Sequence, residues 1–193
     1  MRRGTNVLSI GQIVAAIQRL DRSEKPILIA VEGFGGSGKT TFARRLADAL
    51  GSAYVVSMDD FLVMEKLAEP SWDTGVFDRE RLERQVLRPA SLDQPIRYQK
   101  LLWDTNTLSD PITIPAVDYL IVEGISAYHP TIERYYRFKI WMATPLNVAQ
   151  ARGHARDGAN ANAAYWDIWA RNDSAYQRQY HPDRRADAIF KSG

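Results

Sequence analysis

The stretch Gly33-Phe34-Gly35-Gly36-Ser37-Gly38-Lys39-Thr40 constrains this chain more than any other. It meets the pattern G-x-x-x-x-G-K-S/T at every fixed position. Glycines let a backbone curl so that successive N–H groups point into one concavity suited to phosphate oxygens. A helix leaving such a loop adds its positive N-terminal end. Lys39 has the reach for β- and γ-phosphates, and the Thr40 hydroxyl can ligate Mg²⁺. The flanks have the order this chemistry requires. Ile27-Leu28-Ile29-Ala30-Val31 is a short apolar run that predicts a buried strand. From Thr41 to Leu50, Phe42, Leu46 and Leu50 share one helical face, and Gly51 follows the last of them. The expected phosphate-binding set is therefore Gly33, Gly35, Gly36, Ser37, Gly38, Lys39, Thr40 and Thr41.

A chain of 193 residues can bury a sizeable core as one domain, and 45% hydrophobic with 25% charged residues is ordinary globular composition. The net charge of +2 is too small to argue for nucleic-acid binding, since a phosphate site alone would account for it. Without cysteine there is no disulfide framework, thiolate metal site or thiol catalysis. A cytoplasmic location is the expectation that fits. No apolar run is long enough for a membrane span, and no long apolar region follows Met1-Arg2-Arg3, so no secretory signal is expected. Association with a second copy of the chain stays open.

Further along, Ile10, Ile13, Val14, Ile17 and Leu20 form one helical face, which predicts a leading helix within residues 1–24. Ala53-Tyr54-Val55-Val56-Ser57-Met58 reads as a second strand and runs into Asp59-Asp60-Phe61. Ligands of doubly wound sheets sit beyond the carboxyl ends of strands, so these carboxylates are either catalytic or a solvated cap. Asp78 to Leu87 predicts a helix, capped by Asp78 and ended by Pro89. Residues 95–114 predict a β-hairpin around Asp104-Thr105-Asn106. Val117 to Val122 predicts a strand leading into Glu123-Gly124, and an acid at that place can bind Mg²⁺ directly or through water. Phe138 to Met142 predicts a further strand. Pro145 then opens a helix that carries Arg152 and Arg156 four residues apart on one face. The two arginines either close over phosphates, in a lid spanning 150–165, or pair with surface acids. Asp157-Gly158 ends the helix, and Ala159-Asn160-Ala161-Asn162-Ala163-Ala164 suits a mobile connection. The aromatic residues Tyr165, Trp166, Trp169, Tyr176 and Tyr180 on the next helix are expected to fill core. His129, His154 and His181 have no ligand spacing. Ala188-Ile189-Phe190 is the last strand candidate. The count implies an α/β, three-layer sandwich with a mainly parallel five-stranded sheet, a small β-hairpin and a helical lid.

Several segments together resemble the uridine kinase-like branch of P-loop small-molecule kinases, which includes pantothenate kinase and phosphoribulokinase. They are Val31 through Thr40, Ser57-Met58-Asp59-Asp60-Phe61, Trp72-Asp73 through Val76-Phe77-Asp78, Val122-Glu123-Gly124, Arg152 to Asp157, and Ala186-Asp187-Ala188-Ile189. The resemblance implies that Asp59 accepts the proton of an attacking hydroxyl, that Asp73 holds ribose hydroxyls, and that Glu123 is the acid of the fourth main strand. It also implies that Arg152 and Arg156 are lid arginines and that His181 to Arg185 packs the adenine of ATP. Uridine kinases line their pyrimidine pocket with a Tyr-Asp-Phe segment and a following His. The corresponding Leu101-Leu102-Trp103-Asp104-Thr105-Asn106 keeps only an aromatic, Trp103. Arg97 and Tyr98 are the candidates for a different acceptor pocket.

The expectation is thus an enzyme that moves the γ-phosphoryl group of ATP to a hydroxyl of a small molecule, a nucleoside such as uridine or cytidine or a related metabolite. Lys39, Asp59, Arg152 and Arg156 are the catalytic candidates, with Arg156 also toward ATP. Thr40 and Glu123 are the candidates for Mg²⁺, and Asp59, Asp73, Arg97, Tyr98 and Trp103 for the acceptor. Two other readings stay open. One is a nucleotide-dependent switch acting through a protein partner. The other is a nucleoside monophosphate kinase, for which Arg79, Arg81 and Arg84 would serve.

Overall fold

The computed structural model describes residues 7–21, 23, 26–67, 70–158 and 162–192. Both ends of the predicted leading segment 1–24, and part of the connection around Ala159-Asn160-Ala161, lie outside the described residues. Ser9 caps the first helix, α1 (Ile10–Gln18), in a reciprocal exchange with Gln12. Strand β1 (Ile27–Gly33) is buried at all seven residues. The loop then enters α2 (Lys39–Leu50), which begins two residues earlier than its apolar face suggests. Strand β2 (Ala53–Ser57) ends in a 3₁₀ turn over Met58–Phe61.

Asp78 caps α3 (Arg79–Leu82) by accepting from the Arg81 amide. Pro89 does not end this helix, contrary to expectation. The chain widens into a π-helical turn over Glu83–Leu87 and continues as α4 (Arg88–Ser91), with Pro89 in its first turn. A proline has no N–H to give and its ring clashes with the carbonyl four residues back, and the wider turn before it is where that misfit is absorbed.

The hairpin forms in two short ladders. β3 (Arg97–Tyr98) pairs with β6 (Ile112–Thr113), and β4 (Leu101–Leu102) with β5 (Thr107–Leu108). Between them, Gln99 and Lys100 bond to Ser109 through side chain and backbone. The remaining elements are β7 (Tyr119–Glu123), β8 (Phe138–Met142), α5 (Leu146–Asp157), α6 (Trp166–Tyr180), α7 (Pro182–Arg185) and β9 (Ala188–Phe190).

The five long strands make one all-parallel sheet in the order β2-β7-β1-β8-β9. Val7 adds a parallel bridge to Ile189 beside β9, a pairing that nothing in the sequence pattern announces. Side chains alternate across β1. Ile27, Ile29 and Val31 join Ile13 and Ile17 of α1 and Phe42 and Leu46 of α2 on one face. Leu28 and Ala30 join Leu82, Val86 and Tyr176 on the other. Three layers follow from that alternation, because both faces of a parallel sheet need covering.

The register sets the site. Val31 of β1 lies level with Glu123 of β7, and Glu123 level with Ser57 of β2. The three carboxyl ends therefore open at one height. The core that holds them there can be probed from below. Leu46 is fully buried under the sheet, and Leu46→Ala is expected to cost about 2–5 kcal/mol, read as a lower urea midpoint with an unchanged denaturant slope.

Candidate active site

A cavity of about 540 Å³ opens above these strand ends. Of the residues singled out from the sequence, Gly35, Gly36, Gly38, Lys39, Thr40, Thr41, Asp59, Trp103, Glu123, Arg152 and Arg156 line it. Gly33 and Ser37 do not. Gly33 ends β1, where an added Cβ would lie 2.8 Å from Met142 and from the Ser37 hydroxyl, and Ser37 is buried beneath the loop.

The loop rests on itself and on two distant helices. The Lys39 ammonium donates to the Phe34 carbonyl at 2.8 Å. The Gly35 amide donates to Asp173 of α6 at 2.9 Å, and Asp173 is buried. Burial pushes the Asp173 carboxyl up to about 6, against the pull of Lys39 and the Gly35 amide. Gly36 has φ +76°, and a Cβ there would sit 2.1 Å from the Ala149 carbonyl of α5. The next turn of α5 is as tight, since a Cβ on Gly153 would fall 2.1 Å from the Trp166 ring. Only hydrogen fits at either place, which is how α5 comes to lie directly on the loop.

On the opposite wall the Thr40 hydroxyl and the Ser57 hydroxyl both donate to one Glu123 oxygen, at 3.0 and 3.1 Å. Burial raises the Glu123 carboxyl pKa above the ordinary range, with Lys39 opposing and Asp59 adding to the rise. Asp59 stands in the 3₁₀ turn after β2, exposed to the cavity yet enclosed by its walls. That enclosure raises its pKa, and Lys39 and then Arg156 oppose the rise. Asp60 is turned away, toward the Tyr98 hydroxyl and Lys100.

Arg156 is gripped by its neighbour. Its guanidinium donates twice to the Asp157 carboxylate, at 2.7 and 3.0 Å, and stands 5.6 Å from the Trp166 ring centre. Buried Asp157 also accepts from the Trp166 indole at 2.9 Å. Arg152, one turn back, reaches Ser192 at 3.2 Å.

Three acceptor candidates fall elsewhere. Tyr98 is fully buried and stacks on Phe61 at 5.9 Å, so it belongs to the core. Arg97 is exposed on the hairpin, outside the cavity. Asp73 sits just behind the wall, where the Tyr180 hydroxyl donates to it and His129 lies 3.2 Å away. The Tyr180 hydrogen bond, then that to His129, lower its pKa. Arg79 and Arg81 are also engaged, Arg79 with Ser126 and the Trp72 and Asp73 carbonyls, Arg81 with the Asp60 and Gln99 carbonyls. Arg185 of α7 donates to the Tyr180 carbonyl and Glu133.

Sequence reasoning misses Asp157, Trp166, Trp169 and Asp173. The two tryptophans line the cavity rather than only filling core. It also assigns nothing to buried Glu32, which accepts from the Tyr128 amide at 2.9 Å and is raised by burial to about 7. Among the described residues no group of three or more His, Cys, Asp and Glu could hold a metal ion, and no helix is long and apolar enough to cross a membrane.

No family model matches the chain. A uridine kinase from Geobacillus kaustophilus is 32% identical over 147 residues, covering 69% of this chain and 68% of that protein. A nicotinamide riboside kinase from Saccharomyces cerevisiae is 25% identical over 170 residues, covering 75% and 71%. The structure described as a possible uridine kinase from Bacillus stearothermophilus superposes with a TM-score of 0.73 over 94% of this chain and 96% of that one, at 21% identity. At that identity it speaks for the fold, and the Geobacillus relative speaks for descent. On the strength of that relative, the chain belongs to the uridine kinase-like P-loop kinases.

Proposed function

We propose that the protein transfers the γ-phosphoryl group of ATP to a hydroxyl of a small molecule, a nucleoside such as uridine or cytidine or a related metabolite. One observation carries this reading: Asp59 opens into the same cavity as Lys39, Thr40 and Glu123. A phosphate cradle alone serves any nucleotide hydrolase. A carboxylate beside it can take the proton of an attacking alcohol. The names of two relatives, uridine kinase and nicotinamide riboside kinase, support an acceptor of riboside type.

In this mechanism the loop amides and Lys39 hold the triphosphate, Lys39 exchanging the Phe34 carbonyl for phosphate oxygens. The Thr40 hydroxyl and Glu123 carboxylate form an all-oxygen pair 3.0 Å apart, which fits Mg²⁺, a cation that takes one or two carboxylates together with phosphate oxygens. Bound there, Mg²⁺ would neutralise charge on the phosphoryl oxygens. Asp59 accepts the hydroxyl proton, and a pKa above the ordinary carboxylate range makes it the stronger base. Arg156, fixed in its fork by Asp157, brings charge to the oxygens in transfer without reorganising.

Three measurements test this reading. Asp59→Asn is expected to bind ATP as the parent does and to lose about 10²–10⁴-fold in transfer, in an Mg·ATP assay against a panel of nucleosides, sugars and vitamins. Transfer near the parental rate would remove Asp59 from the mechanism. Asp59 must be ionised to act, so kcat/KM rises with pH through its pKa. Arg156 holds that pKa down, and Arg156→Gln is expected to move the ascending limb to higher pH. Asp173→Ala leaves the Gly35 amide unpaired, and KM for ATP is expected to rise about tenfold or more, the worth of a hydrogen bond to a charged group.

A further inference from the structure

β1 carries a charged group on an otherwise apolar face. Leu28 and Ala30 pack with Leu82, Val86 and Tyr176, and alternation along the strand puts Glu32 on that same side. Glu32 is 1% exposed. One of its oxygens accepts from the Tyr128 amide, and the other, Oε1, has no hydrogen-bond partner among the described residues. The Arg79 Nε, the Arg185 Nη2 and the Tyr136 and Tyr176 hydroxyls are buried and unpartnered as well. Burial raises the Glu32 pKa, while the Tyr128 amide, Arg185, Lys39 and Arg79 oppose the rise. Burial lowers the Arg79 pKa, and Tyr176 and then Glu32 oppose the fall. A carboxylate so placed is kept at a cost that an apolar residue of similar volume would avoid, and such departures concentrate at functional sites.

The bonds around Glu32 converge on one turn. Glu123, Gly124 and Ile125 line the cavity at the end of β7. The chain then enters the core at Ser126, which is fully buried with φ +55°. A residue with a side chain holds the left-handed region only where its surroundings over-determine it. Here three elements grip the turn. Glu32 of β1 holds the Tyr128 amide at 2.9 Å. Arg79 of α3 donates to the Ser126 hydroxyl at 2.8 Å, and the same guanidinium holds the Trp72 and Asp73 carbonyls. At α7 the Pro182 carbonyl accepts from the Tyr128 hydroxyl at 3.0 Å. The strand that launches the phosphate loop, the strand end that carries Glu123 and the Trp72 wall are thereby tied together from behind. Glu32, Arg79, Ser126 and Tyr128 themselves stay outside the cavity lining.

We propose that Glu32 and Arg79 are positioning residues for phosphoryl transfer, clamping the Ser126–Tyr128 turn so that Glu123, Ile125 and Trp72 stand in register with the phosphate loop. This role rests on the kinase reading above, and it adds two residues that touch neither nucleotide nor acceptor. A misplacement of about 1 Å by a change far from the chemistry costs about 10²-fold. Loosening the clamp therefore lowers kcat, whereas loosening the Gly35–Asp173 contact raises KM for ATP.

The full chain and its Glu32→Ala, Glu32→Gln and Arg79→Lys variants are assayed with Mg·ATP and the acceptor panel. Backbone hydrogen–deuterium exchange is followed by mass spectrometry without ligand. Glu32→Ala and Arg79→Lys are each expected to lower kcat about 10–100-fold with KM for ATP unchanged. Lysine keeps the charge but lacks the planar fork that serves several acceptors at once. Glu32→Gln still accepts from the Tyr128 amide and should recover much of the loss. The double variant Glu32→Ala/Arg79→Lys should be no slower than the worse single one, because the two residues act as a unit. Exchange should rise in both single variants over residues 71–77 and 124–129 and stay parental in α2 and β8. Arg79→Lys carries the test if Glu32→Ala fails to fold. Faster exchange throughout the chain with a raised KM for ATP marks a structural role only and overturns the proposal. Parental kcat in both variants also overturns it and leaves the kinase reading standing. Raised exchange confined to the two segments, with no transfer by the parent to any acceptor, upholds the clamp and removes the kinase reading.

Discussion

Everything at the cavity is aimed from a strand that has no solvent-facing side. All seven residues of β1 are buried, so the strand needs a parallel neighbour on each edge and a helix on each face. β7 and β8 supply the edges; α1 and α2 cover one face, and the helix entered through Asp78 covers the other. A loop leaving such a strand has one direction open to it, beyond the carboxyl ends. The level register of Val31, Glu123 and Ser57 then brings an acid and two hydroxyl-bearing turns to the same height. The chemistry of the site is in this sense a by-product of how the core is covered.

The electrostatics of the cavity follow from enclosure more than from pairing. Asp59, Glu123 and Asp173 all have pKa values raised by burial, and Lys39 opposes the rise in each. A single ammonium facing three carboxylates leaves the site short of positive charge. Arg152 and Arg156 of α5 line the same cavity, so a polyanion entering it meets three cations.

The framework was legible in the sequence because strands buried on both faces leave continuous apolar runs, as at Ile27 to Val31 and Phe138 to Met142. The phosphate loop, Asp59 and Glu123 were legible because each directly follows such a run, and Arg152 and Arg156 because they stand four residues apart on one helix. Contacts made across the fold left no local trace. The Gly35–Asp173 hydrogen bond joins residues 138 positions apart, and the sequence around Asp173 reads only as an aromatic helix. Tyr98 was misplaced for a different reason: beside Arg97 on a two-sided hairpin, alternation assigns the two to opposite faces but not which face is the core. Pro89 misled because proline usually stops a helix, and a π-helical turn is invisible to a 3.6-residue period.

The stack of Gly36 on α5, and of α5 on Trp166, leaves no slack. Backbone meets backbone at the first contact and backbone meets ring at the second. Bulk added at any one of Gly36, Gly153 and Trp166 must be given back at another. Among relatives that keep this arrangement the three positions should change together or not at all. Such a correlated trio would mark, in sequences alone, which kinases rest a helix on the phosphate loop and which hold it clear.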